Sequence, residues 1–224
     1  MDQSLFFLIN NEWTSPVLDR LMATLSSFDF WMPLLLLAIL GIAVAGCFKS
    51  RAMVLVLLLV VGLTDGVVVN GLKHWANRPR PNQVEKARVV DLKKLKPRFL
   101  AIFQPPTVRV SQPETGVITG RSFPSGHTSD NFAAAAVLAL FYHRRGWLYF
   151  LVAVAIGYSR IYTGSHWPSD VLASAFLGTG LGVLGVTAAE GAWRCWGGCF
   201  APKLHRRHPS LLVKCAIQTE DVTI

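Results

Sequence analysis

The amino-acid sequence predicts an all-α fold: a polytopic membrane helical bundle of about six core helices with one long extracytoplasmic loop. Three observations carry that prediction. Of 224 residues, 52% are hydrophobic and only 16% are charged, against about 25% charged in an ordinary soluble domain. The apolar residues are gathered into blocks: Phe30 to Phe48 and Val171 to Ala189 hold no charge, and Ala52 to Leu72 holds only Asp65. Each block approaches the roughly 20 residues that a bilayer-crossing helix needs. Finally, the formal net charge is +9 despite so few charged residues. Such hydrophobicity excludes a disordered chain. The long apolar runs argue against a nucleic-acid binder, whose basic residues interleave with polar surface.

The elements follow in order, as a single membrane domain over 1–224. Residues 1–29 form amphipathic, interfacial helices. Ser15-Pro16 is a helix start, with Ser as N-cap and Pro at the first helical position. Leu18, Leu21, Met22, Leu25 and Phe28 then recur at helical spacing. Two long helices, 30–48 and 52–72, form a hairpin turning at Lys49-Ser50-Arg51. A polar loop, 74–122, comes next. Within it, the basic run from Lys86 to Arg98 is expected to form a short helix, because so long a structureless loop is unusual in a compact protein. Three further helices are expected at about 126–143, 146–162 and 168–190, completing the 30–190 core, and the basic tail 191–224 shows no strong periodicity.

Helix parity puts the turns at 49–51 and 143–145 and the tail on one side of the membrane, and the long loop and the 163–167 turn on the other. The positive-inside rule weighs short loops above long ones, so the two tight turns are placed in the cytoplasm. Cys47, Cys195, Cys199 and Cys215 then all lie on the reducing side, consistent with free thiols. Met1-Asp2-Gln3-Ser4 lacks the basic start and cleavage site of a signal peptide. The chain is therefore expected to be an integral membrane protein with its long loop on the extracytoplasmic side.

Three polar clusters interrupt the apolar blocks, and all three fall on the loop side. They are Lys73-x6-Arg80-Pro81, Pro124-Ser125-Gly126-His127 and Ser159-Arg160-x5-His166-x3-Asp170. Together they suit a tetrahedral dianion. Lys73, Arg80 and Arg160 are donors, and guanidinium forks match phosphate oxygens. Ser125 and Gly126 at a helix start offer backbone N–H groups and the positive end of a dipole. His166 and His127 have side chains whose ordinary pKa, about 6.5, suits nucleophile and acid. Pro168 at a first helical position places Asp170 four residues after His166, where its carboxylate can take one imidazole N–H and leave the other nitrogen free to attack. A metal site built from His127, His166 and Asp170 is disfavoured, because the three cations would repel it.

These motifs resemble, in order, spacing and identity, the three signatures of the type 2 phosphatidic acid phosphatase family, over about residues 16–190. The resemblance implies a metal-independent membrane lipid phosphatase with no cofactor and a lipid substrate. It implies that His166 becomes a phosphohistidine, that His127 is the general acid, and that Asp170 orients the nucleophile. Lys73, Arg80, Ser125, Gly126 and Arg160 match its phosphate-binding positions, on the extracytoplasmic face. Undecaprenyl diphosphate leads the expected substrates by family frequency, ahead of phosphatidylglycerol phosphate, phosphatidic acid and lipid A phosphates. A lipid phosphotransferase using the same residues is the alternative.

Other polar residues have plainer readings. Asp65 and Lys73 are eight residues apart, about 12 Å along a helix, so direct pairing is not expected and an interhelical hydrogen bond is. Asp130 suits a helix start. His74 and the seven tryptophans, most of which flank the apolar blocks, read as interfacial anchors.

Overall fold

The computed structural model describes residues 1–93, 98–113 and 120–212, apart from the side chains at 98 and 99. Lys94, Lys96, Lys214 and Cys215 lie outside the described residues. The chain begins with α1 (Asp2–Phe7), which runs on as a π-helical turn to Glu12, and α2 (Pro16–Ser26). Helices α3 (Phe28–Ala45) and α4 (Phe48–Ala76) form the hairpin. A single turn, α5 (Pro81–Val84), leads to strands β1 (Arg88–Asp91) and β2 (Thr107–Val110). Helices α6 (Gly126–Tyr142), α7 (Arg144–Trp147), α8 (Tyr149–Tyr162), α9 (Pro168–Phe200) and α10 (Pro202–Arg207) complete the bundle.

Three helices among the described residues, α3, α4 and α9, are long and apolar enough to cross a membrane. None of the residues of α3 is buried, which hydrocarbon solvent permits and water would not. The bundle is instead closed by α6 against α9. Gly178 and Gly182, one turn apart on α9, are both buried. A Cβ at Gly178 would lie 2.1 Å from the Ser129 carbonyl oxygen, and one at Gly182 would lie 2.6 Å from that of Ala133. Only glycine permits this backbone approach, the small-residue packing that joins helices in lipid. Beyond the seam, Val56 and Val60 of α4, Val137 and Phe141 of α6 and Val186 of α9 form one core cluster.

A second cluster lies at the loop end, where Phe6, Ile9 and Met22 meet Val90, Tyr162 and Trp167. The N-terminal segment is therefore built into the fold. Asn10 is fully buried; its amide donates to the carbonyls of Arg88 and Tyr162, both at 2.8 Å, and accepts from Arg88 N–H at 2.8 Å. Ser15 caps α2 as expected, accepting from Leu18 N–H at 3.2 Å. Asp19 does not face solvent or headgroups as an interfacial helix would suggest. It is buried, salt-bridged to Arg88 at 2.6 Å and bonded to the Tyr162 hydroxyl at 2.7 Å.

Several expectations are corrected. Between Lys86 and Lys93 the run is not helical: Arg88–Asp91 pairs antiparallel with Thr107–Val110, Arg88 opposite Val110, and a 3-10 helix begins only at its last residue, Arg98. Val89 and Val90 are β-branched and buried, which favours a pleated strand over a helical turn. The first tail residues are not irregular either, since α9 continues to Phe200. The tail then folds back: Leu211 N–H donates to Glu190 at 2.8 Å, and Lys49 Nζ donates to the Leu212 carbonyl at 2.6 Å. Cys47 is disulfide-bonded, while Cys195 and Cys199 are free. The expected set of four free thiols therefore fails, and with it the cysteine argument for which side faces the cytoplasm.

Candidate active site

Four chain segments meet at the loop end of the bundle: the end of α4, the start of α6, the 163–167 turn and the start of α9. The α6–α9 seam fixes two of them, and Ser125 N–H donates to the Ser174 hydroxyl of α9 at 2.8 Å. The expected offer of two backbone N–H groups to an anion is thereby halved, because the Ser125 amide is already engaged. Gly126 opens α6 beside the ends of two α4 side chains. A Cβ there would lie 3.0 Å from Asp65 Oδ1 and 3.7 Å from Lys73 Nζ. Asp65 and Lys73 thus both approach Gly126 from α4. The α4 backbone is π-helical from Thr64 to Val69, which changes the angular register of residues beyond it, and such turns recur at functional sites.

The cations surround the two histidines. His127 lies within electrostatic reach of Arg160, Lys73 and Arg80, and His166 within reach of Arg160, Arg80 and His127. Arg80 Nε and Arg160 Nε are buried with no protein partner among the described residues. Buried guanidinium N–H groups rarely go unpaired, so both suit an external anion. Arg160 is anchored on its other side by the carbonyl and hydroxyl of Ser26. Burial holds the Arg80 pKa below its usual value.

His166 is 3% exposed. Its Nδ1 lies 2.7 Å from the Ser122 backbone carbonyl. A carbonyl oxygen can only accept, so Nδ1 carries the proton and the neutral ring keeps its lone pair on Nε2. Burial, followed by Arg160 and Arg80, pushes the His166 pKa well below the ordinary value; the Ser122 contact opposes that shift without cancelling it.

The structure does not pair Asp170 with the imidazole. Asp170 is fully buried and accepts from Ser122 Oγ at 2.5 Å, Trp167 N–H at 3.1 Å and Arg78 Nη1 at 2.5 Å. It therefore reaches His166 through Ser122, whose hydroxyl it binds and whose carbonyl holds the ring. The local reason is capping: at the third position of α9 the carboxylate turns back onto the Trp167 amide. All eight sequence-derived site residues lie at this end of the bundle. Sequence reasoning missed Ser122, Ser26, Ser174, Asp2 and Arg78. Only Arg78 had a visible signal, the doubled Arg-Pro in Arg78-Pro79-Arg80-Pro81.

Cations with free donor capacity, two histidines and a helix start are gathered at one end of an apolar bundle, which defines a class: helical membrane proteins with a buried cationic, histidine-bearing cluster. Within that class, residues 53–194 match the PAP2 superfamily, and the chain belongs to it. The matched range contains all eight site residues. Among curated proteins, the chain is 47% identical over 57 residues to the bacitracin transport permease protein BcrC of Bacillus licheniformis, covering 25% of this chain and 28% of that one. It is 39% identical over 69 residues to the undecaprenyl-diphosphatase of Sulfolobus acidocaldarius, covering 30% and 34%. The match thus spans about a third or less of these relatives' lengths. The crystal structure of Aquifex aeolicus LpxE superposes with a TM-score of 0.56 and 28% identity, over 83% of this chain and 94% of that one.

Proposed function

We propose that the chain is a metal-independent integral membrane phosphatase that hydrolyses lipid phosphates or diphosphates through a phosphohistidine, with undecaprenyl diphosphate as the leading substrate. The reading rests above all on His166, whose proton is held on Nδ1 by a carbonyl while Nε2 is left free beside Arg80 and Arg160.

In the first step the Nε2 lone pair attacks phosphorus, the bond from phosphorus to the leaving oxygen breaks, and His127 gives that oxygen a proton. In the second, water attacks the phosphohistidine, the P–N bond breaks, His127 takes the water's proton, and inorganic phosphate leaves. Lys73, Arg80 and Arg160 neutralise charge on the non-bridging oxygens. Preorganised electrostatics of this kind carries much of the rate in phosphoryl transfer. The undecaprenyl-diphosphatase relative supports the substrate choice, and the basic residues of the two short turns, weighed by the positive-inside rule, support a site on the extracytoplasmic face.

The test is phosphate release by purified protein in detergent, from undecaprenyl diphosphate, phosphatidylglycerol phosphate, phosphatidic acid and lipid A phosphate. Activity is expected to survive EDTA and to vanish in His166→Ala. Loss with EDTA overturns the metal-free mechanism, and full activity in His166→Ala overturns the nucleophile.

A further inference from the structure

We propose that Arg78 and Asp2 are positioning residues for the nucleophile, linking the first helix of the chain to the His166 ring through Asp170 and Ser122. This rests on the reading of His166 as nucleophile and extends it to residues that the three motifs do not specify.

The links are continuous. Asp2 Oδ2 accepts from Arg78 Nη2 at 2.7 Å, and Arg78 Nη1 donates to Asp170 Oδ1 at 2.5 Å. Ser122 Oγ donates to Asp170 Oδ2 at 2.5 Å, and the Ser122 carbonyl accepts from His166 Nδ1 at 2.7 Å. Asp2 is fixed in turn by Ser169, through its N–H at 2.9 Å and its hydroxyl at 2.6 Å. That hydroxyl also lies 2.8 Å from Arg78 Nη1. The guanidinium rests 5.5 Å from the Trp167 ring centroid, on the residue adjoining His166.

The chemistry explains why Arg78 matters more than an ordinary surface ion pair. The Asp170 side chain is fully buried, whereas those of Arg78 and Asp2 are 35% and 30% exposed. A buried carboxylate needs a compensating charge, and among the described residues Arg78 is the one cation paired with it. Without Arg78 the carboxylate keeps two neutral donors, Ser122 Oγ and Trp167 N–H, both on Oδ2, and Oδ1 is left buried without the partner it has now. The carboxylate must then turn to share its remaining donors, and the Ser122 carbonyl no longer has a fixed place. The planar fork of Arg78 spans carboxylates on α1 and α9 at once, which a single ammonium group cannot match. Lys73, Arg80 and Arg160 are untouched by this chain of contacts, so anion binding and ring alignment are separable.

The experiment follows phosphoenzyme formation and steady-state turnover of a 32P-labelled lipid diphosphate, using full-length protein in detergent. The variants are Arg78→Gln, Arg78→Lys, Asp2→Asn, Asp170→Asn and the double variant Arg78→Gln/Asp170→Asn. Arg78→Gln is expected to lower kcat about tenfold or more, as displaced catalytic groups do, with KM unchanged within about twofold. Arg78→Lys should recover part of kcat. Asp2→Asn should lower it by about two- to fivefold, the smaller effect of an exposed pair. The double variant should be no slower than Asp170→Asn alone, because residues acting through one another are not additive. Additive losses, a rise in KM in step with the fall in kcat, or a normal rate in Arg78→Gln overturn the proposal. Should Arg78→Gln fail to fold, Asp2→Asn decides, and wild-type kcat in that variant overturns it. Activity surviving in His166→Ala marks failure of the nucleophile reading itself, a result distinct from an inactive His166→Ala beside a normal Arg78→Gln.

Discussion

Gly178→Ala tests whether the α6–α9 seam places the active site. The added Cβ would lie 2.1 Å from the Ser129 carbonyl oxygen, 2.8 Å from its carbonyl carbon and 2.9 Å from its Cα. All three are backbone atoms, so no rotamer change relieves the clash, and α6 itself must move away. Restoring ordinary contact needs a shift on the order of 1 Å, and overpacking of this kind costs typically 1–3 kcal/mol. Ser129 sits two residues after His127, so the shift passes directly to that side chain. A misplacement of about 1 Å can cost about a hundredfold in rate. Gly180 is the matched control: on the same helix, it has nothing within 4 Å of its would-be Cβ. Gly180→Ala should be neutral or stabilising by up to ~1 kcal/mol through helix propensity. The assay pairs the thermal unfolding midpoint in detergent with phosphate release. The expected outcome is a lower midpoint and a roughly 10–100-fold loss of kcat in Gly178→Ala alone. Equal behaviour of the two alanine variants, in either readout, refutes the reasoning.

Two further outcomes are expected. Asp19→Asn leaves Arg88 and the Tyr162 hydroxyl without their charged acceptor; breaking a buried pair costs about 3–5 kcal/mol, reduced here because Arg88 is 20% exposed, and an unchanged melting temperature would sink the assignment. His166 has a folded-state pKa below that of the unfolded chain. The unfolded chain therefore binds the extra proton first, so stability is complete above about pH 6.5 and falls as pH drops below it, by up to ~1.4 kcal/mol per unit. Denaturant unfolding of wild type and His166→Asn should diverge below that pH, and parallel curves contradict it. The same shift keeps Nε2 unprotonated, so the acid limb of phosphoenzyme formation should show no His166 titration at 6.5.

The parts of this molecule that could be read from sequence are those with a side-chain signal at fixed spacing. Long apolar blocks mark α3, α4 and α9, and Ser15-Pro16 marks the start of α2. The residues of the three motifs converge at one end of the bundle. What stayed hidden depends on the main chain or on distant pairing. The ring of His166 is held by the carbonyl of Ser122, and no residue type announces a carbonyl. Asp170 was assigned the imidazole by spacing, yet its place in the first turn of α9 directs it to the Trp167 amide, Ser122 and Arg78. Asp2 and Ser26 reach the site from segments far away in sequence. The helix expected at 86–98 rests on loop length alone, whereas Val89 and Val90 find a partner strand in Thr107–Val110, distant in sequence. The π-helical stretch near Asp65 altered a register that a regular helix would have kept.

The contact between His166 Nδ1 and the Ser122 carbonyl has a consequence for mutational scanning and for the evolution of the site. An acceptor that belongs to the peptide bond is present whatever amino acid is encoded at 122, so no codon change deletes it. A side-chain scan will register Ser122 only through the hydroxyl that steadies the peptide, and the acceptor itself will stay silent. The tautomer of His166 is thus inherited from the path of the backbone, and selection can tune the ring's alignment without being able to remove its hydrogen-bond partner.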